Sequence, residues 1–275
     1  MKKLSHEDIL HCQRRGYFDE HLVALYASAY GEPYLYEDTY LLYHDALSGT
    51  LWVTLFGLLS QKEDRTNCLR ASIDRFKPQK VIVTSPEKLP LDVDGYNCES
   101  VYFDKDYQIN LLEFDDGMRG VAYKDLRYRV NNAKKRGYTS ALGKAVTPAH
   151  AHLMALHLTK RNYALWDYQL YLKIDEYVEK HSSPRLFNAF LNGRLVGFDV
   201  MDALKDVLAI PLGFCLDYPS LADFLIYEEI LYAKSEGYKW LDIGWACNPG
   251  LEEFKKKWMA MPRFHVCIQE YQRID

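Results

Sequence analysis

Apolar positions recur at helical spacing over Glu7–Ala29, and Gly31-Glu32-Pro33 ends the pattern, so a helix is predicted there. The period then changes. Tyr36–His44 and Leu51–Leu58 are runs rich in aromatic and β-branched residues, and the polar Asp45–Gly49 between them predicts a hairpin. Asp64–Phe76 returns to an amphipathic helical pattern. Lys80-Val81-Ile82-Val83-Thr84 reads as a buried strand, because strands covered on both faces show no polar alternation. Glu99–Phe103 and Gln108–Phe114 predict two further strands. Lys124–Arg136 interrupts the apolar pattern: Lys124, Arg127, Arg129, Lys134, Lys135 and Arg136 stand against one acid, Asp125, before Gly137.

The second half carries firmer punctuation. Thr147-Pro148 supplies an N-cap and a proline at the first helical position, predicting a helix to about Asn162. A second helix is predicted over about Asp167–Lys180, before Ser182-Ser183-Pro184. Arg185–Leu191 and Arg194–Asp202 are strands joined by Asn192-Gly193, a pair suited to tight hairpin turns because both residues tolerate positive φ. Val207–Leu216 is a third strand. Ser220-Leu221-Ala222-Asp223 resembles a capping box that opens an apolar helix, and Gly237 ends it. Trp240-Leu241-Asp242-Ile243 is a buried strand. Asn248-Pro249 caps another helix, with Glu252 and Glu253 early and Lys255–Lys257 late, as the helix dipole prefers. Phe264–Tyr271 closes the chain. The order helix, helix, hairpin, strand, helix, strand, helix, strand predicts a mixed α/β layer architecture rather than a regular βαβ repeat.

Composition narrows the class. A chain of 275 residues holds one large or two medium domains. Its 48% apolar and 26% charged residues exclude a disordered chain. A net charge of −4 on a mixed surface argues against the whole chain being a polyanion binder. Met1-Lys2-Lys3 leads into a polar, His-containing stretch rather than an apolar leader, and no apolar run approaches the ~20 residues of a membrane span. The six cysteines are scattered without a CxxC pair, as in a reduced protein, so a cytoplasmic location is expected. His150, His152 and His157 share one predicted helix but lack the i,i+4 spacing of helical zinc sites, and no metal is expected.

Over roughly residues 140–272 this order resembles the acetyltransferase-like (GNAT) fold. The resemblance rests on the hairpin Phe187–Asp202 with Gly193 in its turn. It rests also on the strand-to-helix junction Pro211–Phe224 followed by Tyr227–Gly237, and on Trp240–Gly244 with Asn248 and Phe254 beyond it. Within that superfamily, SLADFLIYEEILYAKSEGYKWLDIG is most similar to the Fem-type and lysyl-phosphatidylglycerol-synthase-like branch, and Asp125–Gly137 resembles the basic helix before its second domain. Such proteins carry two GNAT-like domains in tandem. The resemblance therefore implies a degenerate first copy over residues 1–123, a basic connecting helix over 124–139, and a second copy over 140–275.

What the resemblance implies chemically is acyl transfer to an amine, with acyl-CoA or aminoacyl-tRNA as donor and a small-molecule or peptide amine as acceptor. Acetyl-CoA-binding members carry a glycine-rich loop whose N–H groups hold the pyrophosphate. Here Asp217-Tyr218-Pro219-Ser220-Leu221-Ala222 stands in that place without a glycine, which moves the expectation away from acetyl-CoA. The donor-binding candidates are Leu212, Gly213, Phe214, Ser220, Leu221, Ala222, Asn248 and Phe254. The transfer also needs a base, and a carboxyl whose pKa is raised by burial can serve. Asp242, on an apolar strand, is the first candidate and Asp199 the second. The alternatives are an Asp242 that caps the next turn and an Asp199 that faces outward. Tyr227 is a candidate proton donor to the leaving group, although most of the 22 tyrosines must be structural. Arg127, Asn131, Lys134 and Lys135 share one side of a helix and offer a contact to tRNA or another phosphate, but a solvated helix face carries such runs as well. The competing class is a non-catalytic binding or regulatory module that keeps the fold.

Overall fold

The computed structural model describes residues 1–15, 23–56, 62–90, 93–160, 165–204 and 206–274. In chain order these form β1 (Lys2–Lys3), α1 (His6–Arg15), α2 (Val23–Tyr30), β2 (Glu32–Tyr36), β3 (Tyr40–Asp45), β4 (Thr50–Thr54), α3 (Lys62–Phe76), β5 (Lys80–Ser85) and β6 (Tyr96–Asn110). There follow α4 (Lys124–Arg136), β7 (Tyr138–Gly143), α5 (Pro148–Thr159), α6 (Leu165–Tyr171), α7 (Ile174–Lys180), β8 (Arg185–Leu191), β9 (Arg194–Ala203) and β10 (Val207–Cys215). The chain ends with α8 (Leu221–Ser235), β11 (Trp240–Trp245), α9 (Pro249–Lys257) and β12 (Met261–Arg273). Two compact units result, one of Met1–Asp106 with Arg263–Asp275, the other of Tyr107–Pro262. The units break elsewhere than at 123 and 139: α4 lies inside the second unit, and the end of the chain returns to the first.

In the first unit β1 to β4 form an antiparallel run, β5 lies parallel to β4, and β12 pairs antiparallel with β5. Leu42, Leu51, Val53, Val81 and Val83 meet Cys68, Leu69 and Ile73 of α3 on one face. On the other, Tyr30 of α2 stacks on Trp52 at 4.3 Å and Tyr26 meets Tyr43 edge-on at 5.6 Å. The predicted hairpin at 45–49 is present, with the Asp45 carboxylate accepting the Leu47 N–H and the Ser48 hydroxyl.

Other expectations need correction. The predicted helix Glu7–Ala29 is α1 and α2, with residues 16–22 outside the described residues. The run from Tyr36 is split by a turn in which Glu37 and Asp38 both take positive φ, 47° and 53°, without the Gly or Asn that announces such a turn. The two strands predicted over 99–114 are one, β6. Its first part is largely exposed, so Asp104 and Lys105 sit in the ladder at no burial cost and mark no break.

In the second unit the order is β7-β8-β9-β10-β11, antiparallel except that β11 runs parallel to β10. β7 escaped prediction because only Tyr138 of its six residues is buried, leaving no alternation to read. The single helix predicted over 167–180 is broken at Leu172-Lys173, which lets exposed Leu172 and buried Ile174 belong to different faces. The Asn192-Gly193 turn forms as predicted, with φ of 51° and 75°.

Helix α5 begins at the predicted Thr147 cap, but a histidine completes it. The Thr147 N–H donates to His150 Nδ1 at 3.1 Å, and His150 Nε2 then donates to Asn188 Oδ1 at 2.9 Å. Contacts on both ring nitrogens fix the orientation of the buried ring.

Helix α8 lies on the opposite face of the sheet. A Cβ on Gly197 would come within 3.2 Å of Leu225, so the missing side chain is what admits the helix. The expected capping box is absent: Ser220 takes a left-handed φ of 60° and makes no side-chain cap bond. Asp223 is engaged instead by side chains from the C-terminal end of α9 and from α4. It accepts the indole N–H of fully buried Trp258 at 3.1 Å and pairs with Lys257 at 2.5 Å and Arg129 at 3.6 Å. A buried carboxylate with these partners outweighs a local cap bond. Replacing Asp223 by Ala leaves the Trp258 N–H and Lys257 unpaired and is expected to cost about 2–4 kcal/mol, with Asp223→Asn costing less. Urea denaturation of the three chains checks the ranking.

Candidate active site

The two units follow one plan: an antiparallel run, a crossing helix, and a strand parallel to the last strand of the run. They differ at the parallel pair. In the first unit β4 pairs with β5 along its whole length, Thr50 to Thr54, and the Leu55 N–H continues the ladder to Thr84 O. In the second, β10 pairs with β11 only at Val207, Leu208 and Ala209. Pro211 follows, and a proline has no N–H to give a ladder. The register against β9 shifts between Ala209 and Leu212, and beyond the shift exposed Gly213 and Cys215 alternate with buried Leu212 and Phe214. Beyond Ala209 no ladder pair joins β10 to β11, and this unpaired stretch is the opening between the two strands.

Residues of β11 and α9 close the inner end of the opening. A Cβ on Gly244, whose φ is 73°, would lie 3.4 Å from Ile210 O and 4.0 Å from Lys255 Nζ. Lys255 is only 5% exposed, and its ammonium donates to the carbonyls of Ile243 and Gly244. The Lys255 amine therefore sits buried beyond the end of the β10–β11 ladder. Reading Lys255 from sequence as the charged end of a helix missed it, since residue type alone predicts a solvated lysine. The available signal is its phase: one turn after Leu251 and three residues before Trp258, it shares their inward face.

Asp242, the first candidate base, accepts the Gly244 N–H at 2.8 Å, the turn-holding geometry weighed for it. Asp199 is placed differently. It stands opposite Gly213 in the ladder, and its carboxylate fills the space a Gly213 side chain would occupy. It accepts the Phe214 N–H as well, so that donor is not offered to a ligand. Its other neighbour is Glu229 of α8, fully buried, whose two carboxyl oxygens meet no hydrogen-bond donor among the described residues. Burial raises the Asp199 pKa to about 6 against the lowering effect of these contacts, and burial together with the Asp199 charge raises Glu229 well above the carboxylate range. The alternative that Asp199 faces outward is corrected: a glycine on each neighbouring surface, Gly213 and Gly197, brings strand and helix close enough to bury it together with Glu229.

The remaining candidates scatter. Tyr227 points toward α4 and the loop before it, donating to Asp116 O at 3.2 Å under the ammonium of Lys134, and not toward the opening. At the start of α8, Leu221 is fully buried, while Ser220 and Ala222 are half-buried. Asn248 caps α9 by accepting the Leu251 N–H at 3.0 Å, and Phe254 packs on the core beneath Lys257. On α4, Arg127 donates to the carbonyls of Met118 and Gly120, and Lys134 lies on Tyr227, so these two hold the unit together. Asn131 and Lys135 stay exposed on that helix.

Comparison with solved structures decides the fold. L-PGS from Bacillus licheniformis matches with a TM-score of 0.63 at 14% identity, over 99% of this chain and 93% of that one. The C-terminal domain of a protein assigned as a lysylphosphatidylglycerol synthetase from Agrobacterium fabrum matches with a TM-score of 0.61 at 13% identity, over 97% and 92%. A tandem GNAT protein from the clavulanic acid biosynthesis pathway matches with a TM-score of 0.54 at 13% identity, over 86% and 79%. The fold is a tandem of two GNAT-like domains. No protein-family model matches the chain, and no curated protein is similar enough in sequence to count as a relative. In the first copy the parallel strands pair along the whole of β4, whereas in the second the parallel pairs stop at Ala209. Among the described residues, no helix is long and apolar enough to cross a membrane.

Gly213→Ala tests the packing at the opening. The new methyl must displace the Asp199 carboxylate, and the expected cost is about 1–3 kcal/mol by urea denaturation, larger than for the same change on an open strand surface.

Proposed function

We propose that the second GNAT-like domain transfers an acyl or aminoacyl group from an activated donor onto an amine, with the reacting carbonyl held at the opening between β10 and β11. The observation that carries this reading is the opening itself, with the Lys255 ammonium buried at its closed end. Charge developing on a carbonyl oxygen there meets a fixed positive charge in a poorly solvated place, where electrostatic stabilisation is strongest. Gly213 is exposed on the edge of β10, and the Asp199 carboxylate lies where its side chain would be.

Asp199 is the base in this reading. Its raised pKa suits a carboxylate that takes a proton near neutral pH, and it borders the exposed backbone at Gly213. Asp242 holds the β11 turn instead. In the transfer, the amine nitrogen attacks the donor carbonyl carbon and a C–N bond forms. The donor's C–O or C–S bond breaks, and the proton leaving the amine passes by way of Asp199 to the departing oxygen or sulfur. No net proton is consumed.

Aminoacyl-tRNA is the favoured donor. The start of α8 has no glycine over 217–222 to cradle a pyrophosphate, and an ester leaving group needs no tyrosine in α9, which has none. The exposed Asn131 and Lys135 of α4 suit contact with a phosphate backbone. The likeness to a protein assigned as a lysylphosphatidylglycerol synthetase points the same way.

Thermal-shift measurements with acetyl-CoA, longer acyl-CoAs and charged tRNA test the reading. A true donor at ~100 Kd should stabilise the chain by ~2.7 kcal/mol. Lys255→Met should then lower transfer from the responding donor by ~10²-fold, with circular dichroism unchanged. If no donor stabilises the chain, the non-catalytic binding module becomes the better account; if Lys255→Met transfers at the wild-type rate, the placement of the oxyanion is wrong.

A further inference from the structure

We propose that Glu229 and Asp199 work as a pair holding a single proton, in which Glu229 keeps the proton and positions the Asp199 carboxylate over Gly213 at the edge of the opening. Glu229 is then a positioning residue for the transfer; its catalytic consequence rests on the reading above, and the pairing does not.

The geometry leaves little choice. Glu229 is fully buried, and apart from Asp199 neither of its carboxyl oxygens meets a hydrogen-bond partner among the described residues. Two ionised carboxylates in contact, away from water, repel each other and have no hydrogen between them; one proton turns the repulsion into a bond. The Phe214 N–H already points at Asp199, which makes Asp199 the acceptor and leaves the proton on Glu229. The spacing agrees: Leu225 and Glu229 are four apart on α8, about 6 Å along its axis, while Gly197 and Asp199 are two apart on β9, about 7 Å. Leu225 packing on Gly197 thus carries Glu229 onto Asp199.

The charged groups described on the surrounding elements have other partners. On α4, Arg129 faces Asp223 and Lys134 lies on Tyr227. On α8 itself, Lys234 donates to Phe114 O and pairs with Asp116, while Glu228 accepts from Ser140 of β7. On β7, the Tyr138 hydroxyl donates to Pro219 O. At the near end of β8, Arg185 donates to Ser182 O and Pro184 O. On β11, Asp242 accepts from Gly244, and on α9, Lys255 holds the Ile243 and Gly244 carbonyls while Lys257 pairs with Asp223. Asp202 of β9 is bonded to Tyr177 on the other face of the sheet.

Both groups carry folded-state pKa values raised above those of the unfolded chain, so the stability they confer is complete below the unfolded values and is lost as pH rises through the folded ones. The test uses the whole chain with ¹³C-labelled glutamate side chains. Infrared spectra at pH 7 should show one protonated glutamic acid that Glu229→Gln removes and Glu228→Gln keeps. Denaturation between pH 5 and 9 should show wild-type stability falling relative to Glu229→Gln, by up to ~10-fold in the folding equilibrium per pH unit for one proton. Glu229→Leu, which removes the donor, should lose more stability than Glu229→Gln, which keeps one. A wild-type spectrum with no protonated glutamic acid, or parallel pH curves, overturns the pairing, and the wild-type spectrum decides even if a variant does not fold. A protonated Glu229 in a chain that transfers nothing would refute the transfer reading and leave the pair standing. Full transfer by Glu229→Leu at an unchanged pH optimum would remove Glu229 from the reaction.

Discussion

A missing hydrogen atom governs the second domain. Pro211 cannot donate to a neighbouring strand, and it falls two residues after the last paired position of β10. A strand that loses its ladder in a sheet interior would ordinarily be a liability. Here it produces an edge inside the sheet, with Gly213 and Cys215 exposed, in the middle of a domain rather than at its rim. The first domain has the same plan and no proline at the equivalent point of β4, and its parallel pair closes from end to end. The difference between a domain with an opening and one without is local and chemical, not topological.

The opening concentrates buried charge around itself. Lys255, Asp199, Glu229, Asp223 and Asp242 are all buried, as are Asp202, His150, His181 and Asn188, in a unit whose core is otherwise apolar. Each is expensive unless matched, and the matches are mostly short-range and backbone-based: carbonyls for Lys255, N–H groups for Asp199 and Asp242. Asp223 relies chiefly on side chains, and Glu229 faces that of Asp199. Glycines at 197, 213 and 244 make the space, so a sequence short of glycine where a phosphate loop was expected has spent them on letting charged groups approach the backbone.

What could be read in the sequence was the part set by local punctuation. Asn192-Gly193, Thr147-Pro148 and Asn248-Pro249 each specify their turn or cap by backbone chemistry, and each forms. The Glu37-Asp38 turn and the Leu172 break have no such residues, because tertiary packing imposes them. The Ser220–Asp223 pattern matched a cap and failed, since Trp258 and Lys257, far along the chain, compete for Asp223. The site followed the same division. Asp199 and Gly213 were legible as candidates, one as an isolated strand carboxylate and the other as a strand glycine. The burial of Lys255 and Glu229 was not, because it depends on which side of a helix meets the sheet, and a charged residue in a helix reads as solvated until that side is known.

The return of the chain to its first unit has a consequence for assembly. The second unit is one continuous segment, Tyr107–Pro262, whereas the first needs β12 to cover the edge of β5. During synthesis from the N-terminus, β5 therefore waits with an open edge while more than half the chain is made, and the inserted unit has every residue it needs sooner than its host. Closing the host is a pairing between segments about 180 residues apart, as the Leu89–Gln269 bonds show, and such long-range pairings form slowly. The unit that begins the chain is thus the last to be finished.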